Sequence, residues 1–153
     1  MKIDGLLQLE DIIPELSAET KEEVLGELAA RVASRHSGLE GEEVLRILLE
    51  RERLGSTGIG DGIAIPHGKL KKLEQPLLAF GRSSKGVDFG SLDGRKVALF
   101  FLLLAPEEAV GLHLKMLARI SRILKDPDVR KELLEVPDAA AIFHVIRKQD
   151  NRY

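Results

Sequence analysis

Nine consecutive apolar residues, Val97-Ala-Leu-Phe-Phe-Leu-Leu-Leu-Ala105, constrain this chain more than any other segment. A strand with one wetted face alternates apolar and polar residues, because successive side chains point to opposite sides of the sheet. Here both parities are apolar, so both faces must be covered, as in the central strand of a layered α/β fold. The run is far shorter than the roughly 20 residues that a bilayer-spanning helix needs.

The flanking sequence supplies the layers. Leu6 to Ile13 is a short apolar segment closed by Pro14 and reads as an edge strand or extended lead-in. Ser17 is placed to cap a helix in which Val24, Leu25, Leu28, Ala29 and Val32 recur at helical spacing, ending near Gly38. A second amphipathic helix runs from about Glu42 to Leu54, with Val44, Leu45, Leu48 and Leu49 inward and Gly55 as its C-terminal cap. Ile59, Ile63 and Ile65 alternate with small or polar residues and predict one strand that delivers His67 at its far end. Leu77 to Ser83 is a further strand, followed by turn chemistry at Gly86 to Gly90 and Leu92 to Gly94. Helices are expected over Val110 to Leu124, from Pro127 onward, and from Asp138 to Arg147. The predicted class is α/β, a three-layer α/β/α sandwich with a mixed sheet flanked by helices, and residues 1–153 form one domain.

Between helix and strands lies Gly55-Ser-Thr-Gly-Ile-Gly-Asp-Gly-Ile-Ala-Ile-Pro-His67-Gly68, with five glycines in fourteen residues. Such backbone freedom is costly on folding and implies that something is being positioned. The spacing fails the nucleotide motifs. A dinucleotide fingerprint begun at Gly58 needs Gly or Ala where Ile63 stands, and a Walker loop ending at Gly68-Lys69 needs Gly at Ile63 and Ser or Thr at Leu70. His36, His67, His113 and His144 show no metal-ligand spacing, and no serine lies in a nucleophile elbow, so no metal or cofactor is expected. The absence of cysteine removes thiol and disulfide chemistry. A net charge of −2 and 4 % aromatic residues leave neither the basic footprint nor the stacking platform of a nucleic-acid binder. The acidic N-terminus lacks a signal peptide's apolar core, so a cytoplasmic location without membrane insertion is expected.

What remains is an imidazole. Near neutral pH it is largely uncharged and keeps one free lone pair, which makes it a competent nucleophile. A phosphoryl group on nitrogen would call for an arginine, further donors and glycine-freed backbone N–H groups around it. Ser56 and Thr57 are possible phosphoryl-binding donors, as is the backbone of Gly68, although Ser and Thr beside glycine are also ordinary turn residues. Glu52 either orients an arginine or faces solvent, and Asp61 is assigned no role.

The stretch LLERERLGSTGIGDGIAIPHGKL, Leu48 to Leu70, closely resembles the signature of the enzyme IIA domains of the fructose/mannitol class in the bacterial phosphoenolpyruvate-dependent sugar phosphotransferase system. The likeness is strongest to the nitrogen-related members, and it extends through Ala105-Pro106 to His113-Leu114. The resemblance implies that His67 accepts a phosphoryl group from a phosphocarrier protein of the HPr or NPr type, itself charged by a magnesium-using enzyme I. It also implies that His113 and Arg51 are its catalytic partners. Read alone, His113 shares a helical face with Met116, Leu117 and Ile120, and Arg51 sits in a charge cluster; only the match singles them out.

The expected function is therefore that of a phosphoryl carrier of the nitrogen-related branch, acting on regulatory target proteins. The alternative is a sugar-specific enzyme IIA that passes the group to an enzyme IIB. Two further readings are an interaction module that no longer carries phosphate and a small-molecule anion binder. A partner surface is expected near the loop, with Ile59 and Leu70 as its apolar rim.

Overall fold

The computed structural model describes residues 2–152. After a 3-10 turn at Leu9–Asp11 come β1 (Ile12–Ile13), α1 (Lys21–Arg35) and α2 (Gly41–Arg53). Then follow β2 (Gly58–Gly60), β3 (Ile63–Ala64), β4 (His67–Leu70), β5 (Leu77–Val87) and β6 (Val97–Pro106), and finally α3 (Val110–Lys125), α4 (Pro127–Glu135) and α5 (Ala139–Asp150). The sheet order is β1-β5-β6-β3-β2, with β4 pairing β6 beyond β3. It is mixed: β1 runs parallel to β5, β5 antiparallel to β6, and β3 and β4 parallel to β6.

The apolar run is indeed central, and its two parities feed two cores. Leu99, Phe101 and Leu103 pack with Met116, Ile120, Leu133 and Ile146 from α3, α4 and α5. Phe100, Leu102 and Leu104 pack with Leu25, Leu28, Val44 and Leu48 from α1 and α2. Each fully buried side chain of this kind contributes about 1.5–3 kcal/mol, which is what holds the three layers together.

Several local expectations are corrected. Thr20, not Ser17, caps α1: its hydroxyl accepts from Glu23 N while the Glu23 carboxylate accepts from Thr20 N, a reciprocal capping box. Ser17 N instead donates to Glu27. The segment through Gly86 is strand rather than turn, because β5 continues to Val87 with a register shift that Gly86, at φ +76°, accommodates. The single strand expected over Ile59–Ile65 is a hairpin. Asp61 and Gly62 both have positive φ, 57° and 77°, and turn the chain between Gly60 and Ile63. Two such residues form the tight turn whose twist matches its strands. His67 consequently opens β4 rather than closing a longer strand.

Candidate active site

Three elements bring three predicted residues together. The last turn of α2 carries Arg51, the first residue of β4 is His67, and the first turn of α3 carries His113. Pro66, buried ahead of His67, fixes its own φ, and the backbone is tied down both before it and at its own carbonyl. Ile65 N donates to Thr57 O at 3.0 Å, and Leu103 N of β6 donates to Pro66 O at 3.0 Å. The imidazole thus hangs from a backbone anchored to the loop before it and to the central strand beside it.

Its two nitrogens are differentiated. His67 Nδ1 lies 2.7 Å from Ile65 O, and a carbonyl can only accept, so Nδ1 carries the proton. Nε2 is then the bare nitrogen, and Arg51 Nε donates to it at 3.2 Å. The two contacts independently require the same tautomer. Arg51 Nη1 also donates to Gly55 O at 2.9 Å, which fixes the guanidinium at a second point.

The rings of His67 and His113 are 5.3 Å apart between centroids and inclined by 56°. His113 is only 6 % exposed, and its buried Nδ1 has no hydrogen-bond partner among the described residues. Burial pushes the His113 pKa down to about 4, and His67, Lys69 and Arg51 add to the depression. His67 is likewise lowered, first by burial and then by Arg51 and Lys69, against the opposing effects of its bond to Ile65 O and of Glu52. Both imidazoles are therefore neutral at neutral pH, and the positive charge of the site resides on Arg51 and Lys69.

Lys69 was not singled out from the sequence, although the signal was present. Two residues beyond His67 in a strand, it shares that residue's face of the sheet. Both line a shallow cleft of about 500 Å³ with Arg51, Gly68, His113 and Leu114. A roomier depression of about 690 Å³ lies beside His36, but it brings no second imidazole or arginine to that histidine. Gly68 is tightly packed: a Cβ there would stand 2.5 Å from Ile47 Cγ2, so a larger residue would force Ile47 to shift.

Ser56 and Thr57 are not in the cleft. Ser56 Oγ donates to Phe89 O, and Thr57, 3 % exposed, bonds through its hydroxyl to Glu52. The expected rim is also corrected. Leu70 is core and Ile59 is half-buried against the helical layer, whereas Leu54 and Leu114, 84 % and 60 % exposed, flank the cleft. Among the described residues no group of three or more acidic or histidine side chains is arranged to hold a metal ion. No helix among them is long and apolar enough to cross a membrane.

Residues 5–149 match the family described as "Phosphoenolpyruvate-dependent sugar phosphotransferase system, EIIA 2". The chain belongs to this family. As an EIIA domain it is 48 % identical over 146 residues to the nitrogen regulatory protein of Bradyrhizobium diazoefficiens, covering 95 % of each chain. It is 39 % identical over 150 residues to the fructose-specific EIIABC component of Bacillus subtilis, covering 98 % of this chain and 24 % of that longer one. The crystal structure of the nitrogen regulatory protein IIA-Ntr from Neisseria meningitidis superposes on the EIIA domain with a TM-score of 0.87 and 33 % identity, covering 92 % and 96 % of the two chains. The predicted layered α/β fold and the predicted family thus stand.

Proposed function

We propose that His67 is the phosphoryl acceptor, attacking through Nε2. One observation carries this reading: Nδ1 is committed to Ile65 O, which leaves the Nε2 lone pair facing the cleft beside Arg51. In the transfer, a bond forms between Nε2 and phosphorus as the nitrogen–phosphorus bond of the donor phosphohistidine breaks. The donor imidazole recovers its lone pair, and His67 keeps its Nδ1 proton throughout. Transfer of this kind is chiefly positioning and electrostatic stabilisation. Arg51 and Lys69 supply positive charge, and His113 supplies a ring whose buried Nδ1 has no partner among the described residues.

The donor is a small phosphocarrier protein of the HPr or NPr type, and no cofactor is required in this domain. Leu54 and Leu114 give such a protein an apolar rim on which to dock around a polar centre. The protein acts in the cytoplasm as a regulator in the nitrogen-related branch. That assignment is supported by the higher identity, over nearly the full length, to a nitrogen regulatory protein. Transfer to an enzyme IIB during sugar uptake is the second reading, supported by the fructose-specific relative.

The test is intact-mass analysis after incubation with phosphoenolpyruvate, enzyme I and the phosphocarrier protein. The native chain should gain one acid-labile phosphoryl group and His67→Ala none; equal labelling of both would place the acceptor elsewhere. Chasing the labelled chain with a fructose-type enzyme IIB separates the two readings, since rapid loss of label supports sugar uptake.

A further inference from the structure

Glu52 touches neither histidine, yet both anchors of the reactive pair converge on the loop it holds. Its side chain is 5 % exposed and forms an ion pair with Lys21 Nζ at 2.8 Å. It accepts from Thr57 N at 3.0 Å through Oε1 and bonds the Thr57 hydroxyl through Oε2. Lys21, the first residue of α1, is held in turn by Phe89: its ammonium donates to Phe89 O at 3.2 Å and sits 4.5 Å above the ring. Ser56 Oγ reaches the same carbonyl at 3.2 Å and accepts from Gly58 N at 3.0 Å.

The loop so fixed presents two carbonyls to the site. Gly55 O receives Arg51 Nη1, which sets the direction of the guanidinium. Thr57 O receives Ile65 N, and Ile65 O in turn receives the proton on His67 Nδ1. One carboxylate therefore fixes Thr57, whose carbonyl holds Ile65 and through it the His67 tautomer, in the same short loop whose Gly55 O, two residues earlier, receives Arg51. A buried carboxylate is costly unless it is paired and hydrogen-bonded, and here it has an ammonium and two further donors.

We propose that Glu52, through Thr57 and Lys21, is a positioning residue that holds Arg51 in line with His67 and keeps the His67 proton on Nδ1. Its kinetic consequence rests on His67 being the phosphoryl acceptor; its structural consequence does not. Glu52→Gln preserves size but removes the charge that binds Lys21, and one face of its amide can only donate.

The decisive measurement is nitrogen-15 NMR of the unphosphorylated protein, reading the two ring nitrogens of His67 and the Nε–H of Arg51. The native chain should show a single tautomer with Nδ1 protonated and an Arg51 Nε–H shielded from solvent exchange. Glu52→Gln should show mixed tautomers and exchange at least about 10-fold faster at Arg51, while β6 amides remain as protected as in the native chain. Phosphoryl acceptance should slow by about 10- to 100-fold, the range expected for misaligned reacting groups. Thr57→Val, which keeps the backbone N–H and loses the hydroxyl, should move the same signals in the same direction.

Native tautomer and native Arg51 protection in a folded Glu52→Gln chain would overturn the proposal. So would a loss of protection spread evenly over β6, which marks a general loss of stability. If Glu52→Gln does not fold, Thr57→Val decides by the same signals. If the native chain accepts no phosphoryl group, the function proposed above fails, while the NMR result still decides whether Glu52 positions the pair.

Discussion

Lowering the pH should destabilise the protein through His113, and the size of the effect follows from its surroundings. The ring titrates near 6.5 when free and at about 4 in the folded protein, with burial as the first cause. A base whose folded pKa is depressed is protonated first in the unfolded chain. Below pH 6.5 the unfolded state therefore binds more protons, and stability falls with pH until the folded ring also titrates near 4. At 1.36 kcal/mol per pKa unit, the full loss is at most about 3 kcal/mol, a substantial part of the 5–15 kcal/mol typical of a domain. His67 contributes in the same direction, so the test compares the native chain with His113→Leu, in which every other titrating group is retained. Urea unfolding at intervals from pH 7.5 to 4 gives the two stability curves. Their difference should change by about 2–3 kcal/mol between pH 6.5 and 4, the variant losing less. Parallel curves over that interval would refute the reasoning and show that the buried ring is protonated as easily as a free one.

Other expectations concern the reaction and the local fold. If His67 is the acceptor, its lowered pKa should place the midpoint of the pH dependence of phosphoryl acceptance below 6.5, with the rate lost on the acid side as the ring protonates, measured as initial rate with a donor shown to remain active. A midpoint at or above 6.5 would contradict the burial argument. Arg51→Lys keeps the charge but loses the two-point contact to His67 Nε2 and Gly55 O, and should slow acceptance by about 10- to 100-fold; near-native rates would show that charge alone suffices. Gly68→Ala places a methyl 2.5 Å from Ile47 Cγ2 and should cost about 1–3 kcal/mol in urea unfolding. Asp61→Val puts a β-branched residue at φ 57° and should cost about 1–2 kcal/mol, whereas an unchanged midpoint would show that the hairpin relaxes.

What the sequence disclosed depended on whether the governing interaction was local. The doubly apolar β6 and the helical spacing in α1 through α5 announced the layers, since burial imposes those periods directly. The Thr20-x-x-Glu23 box and the Asp61-Gly62 turn were equally local, but each was masked by a competing pattern. Ser17 offered another cap, and the isoleucine alternation ran straight across the turn. The meeting of Arg51 with His67 was of a different kind. Sixteen residues separate them, and their contact depends on where α2 stops, how the Gly55–Gly58 loop returns and how Pro66 directs β4. No periodicity encodes that geometry, and only the resemblance of the whole segment to a known family pointed to it. Thr57 shows the converse: its residue type suggested a phosphoryl donor, but its burial against Glu52 commits the hydroxyl elsewhere.

On the proposed function, with His67 Nε2 as the acceptor, Arg51 explains how the nucleophile can be both held and available. Its Nε–H occupies the Nε2 lone pair that a nucleophile must use, and at 3.2 Å this bond is not a tight one. When phosphorus bonds Nε2, that N–H must leave the nitrogen, and the incoming phosphoryl oxygens are acceptors of far higher charge beside the same guanidinium. The bond lost to nitrogen is exchanged for a charge-assisted bond to oxygen, which is stronger. Nη1 need not move, because its partner is the backbone of Gly55 and not the reacting group. A lysine could follow the charge, but it would have to serve both partners from a single nitrogen, without the fixed spacing between Nε and Nη1. The two-point hold on Arg51, together with its charge, would therefore let the site exchange an imidazole nitrogen for a phosphoryl oxygen without rebuilding itself.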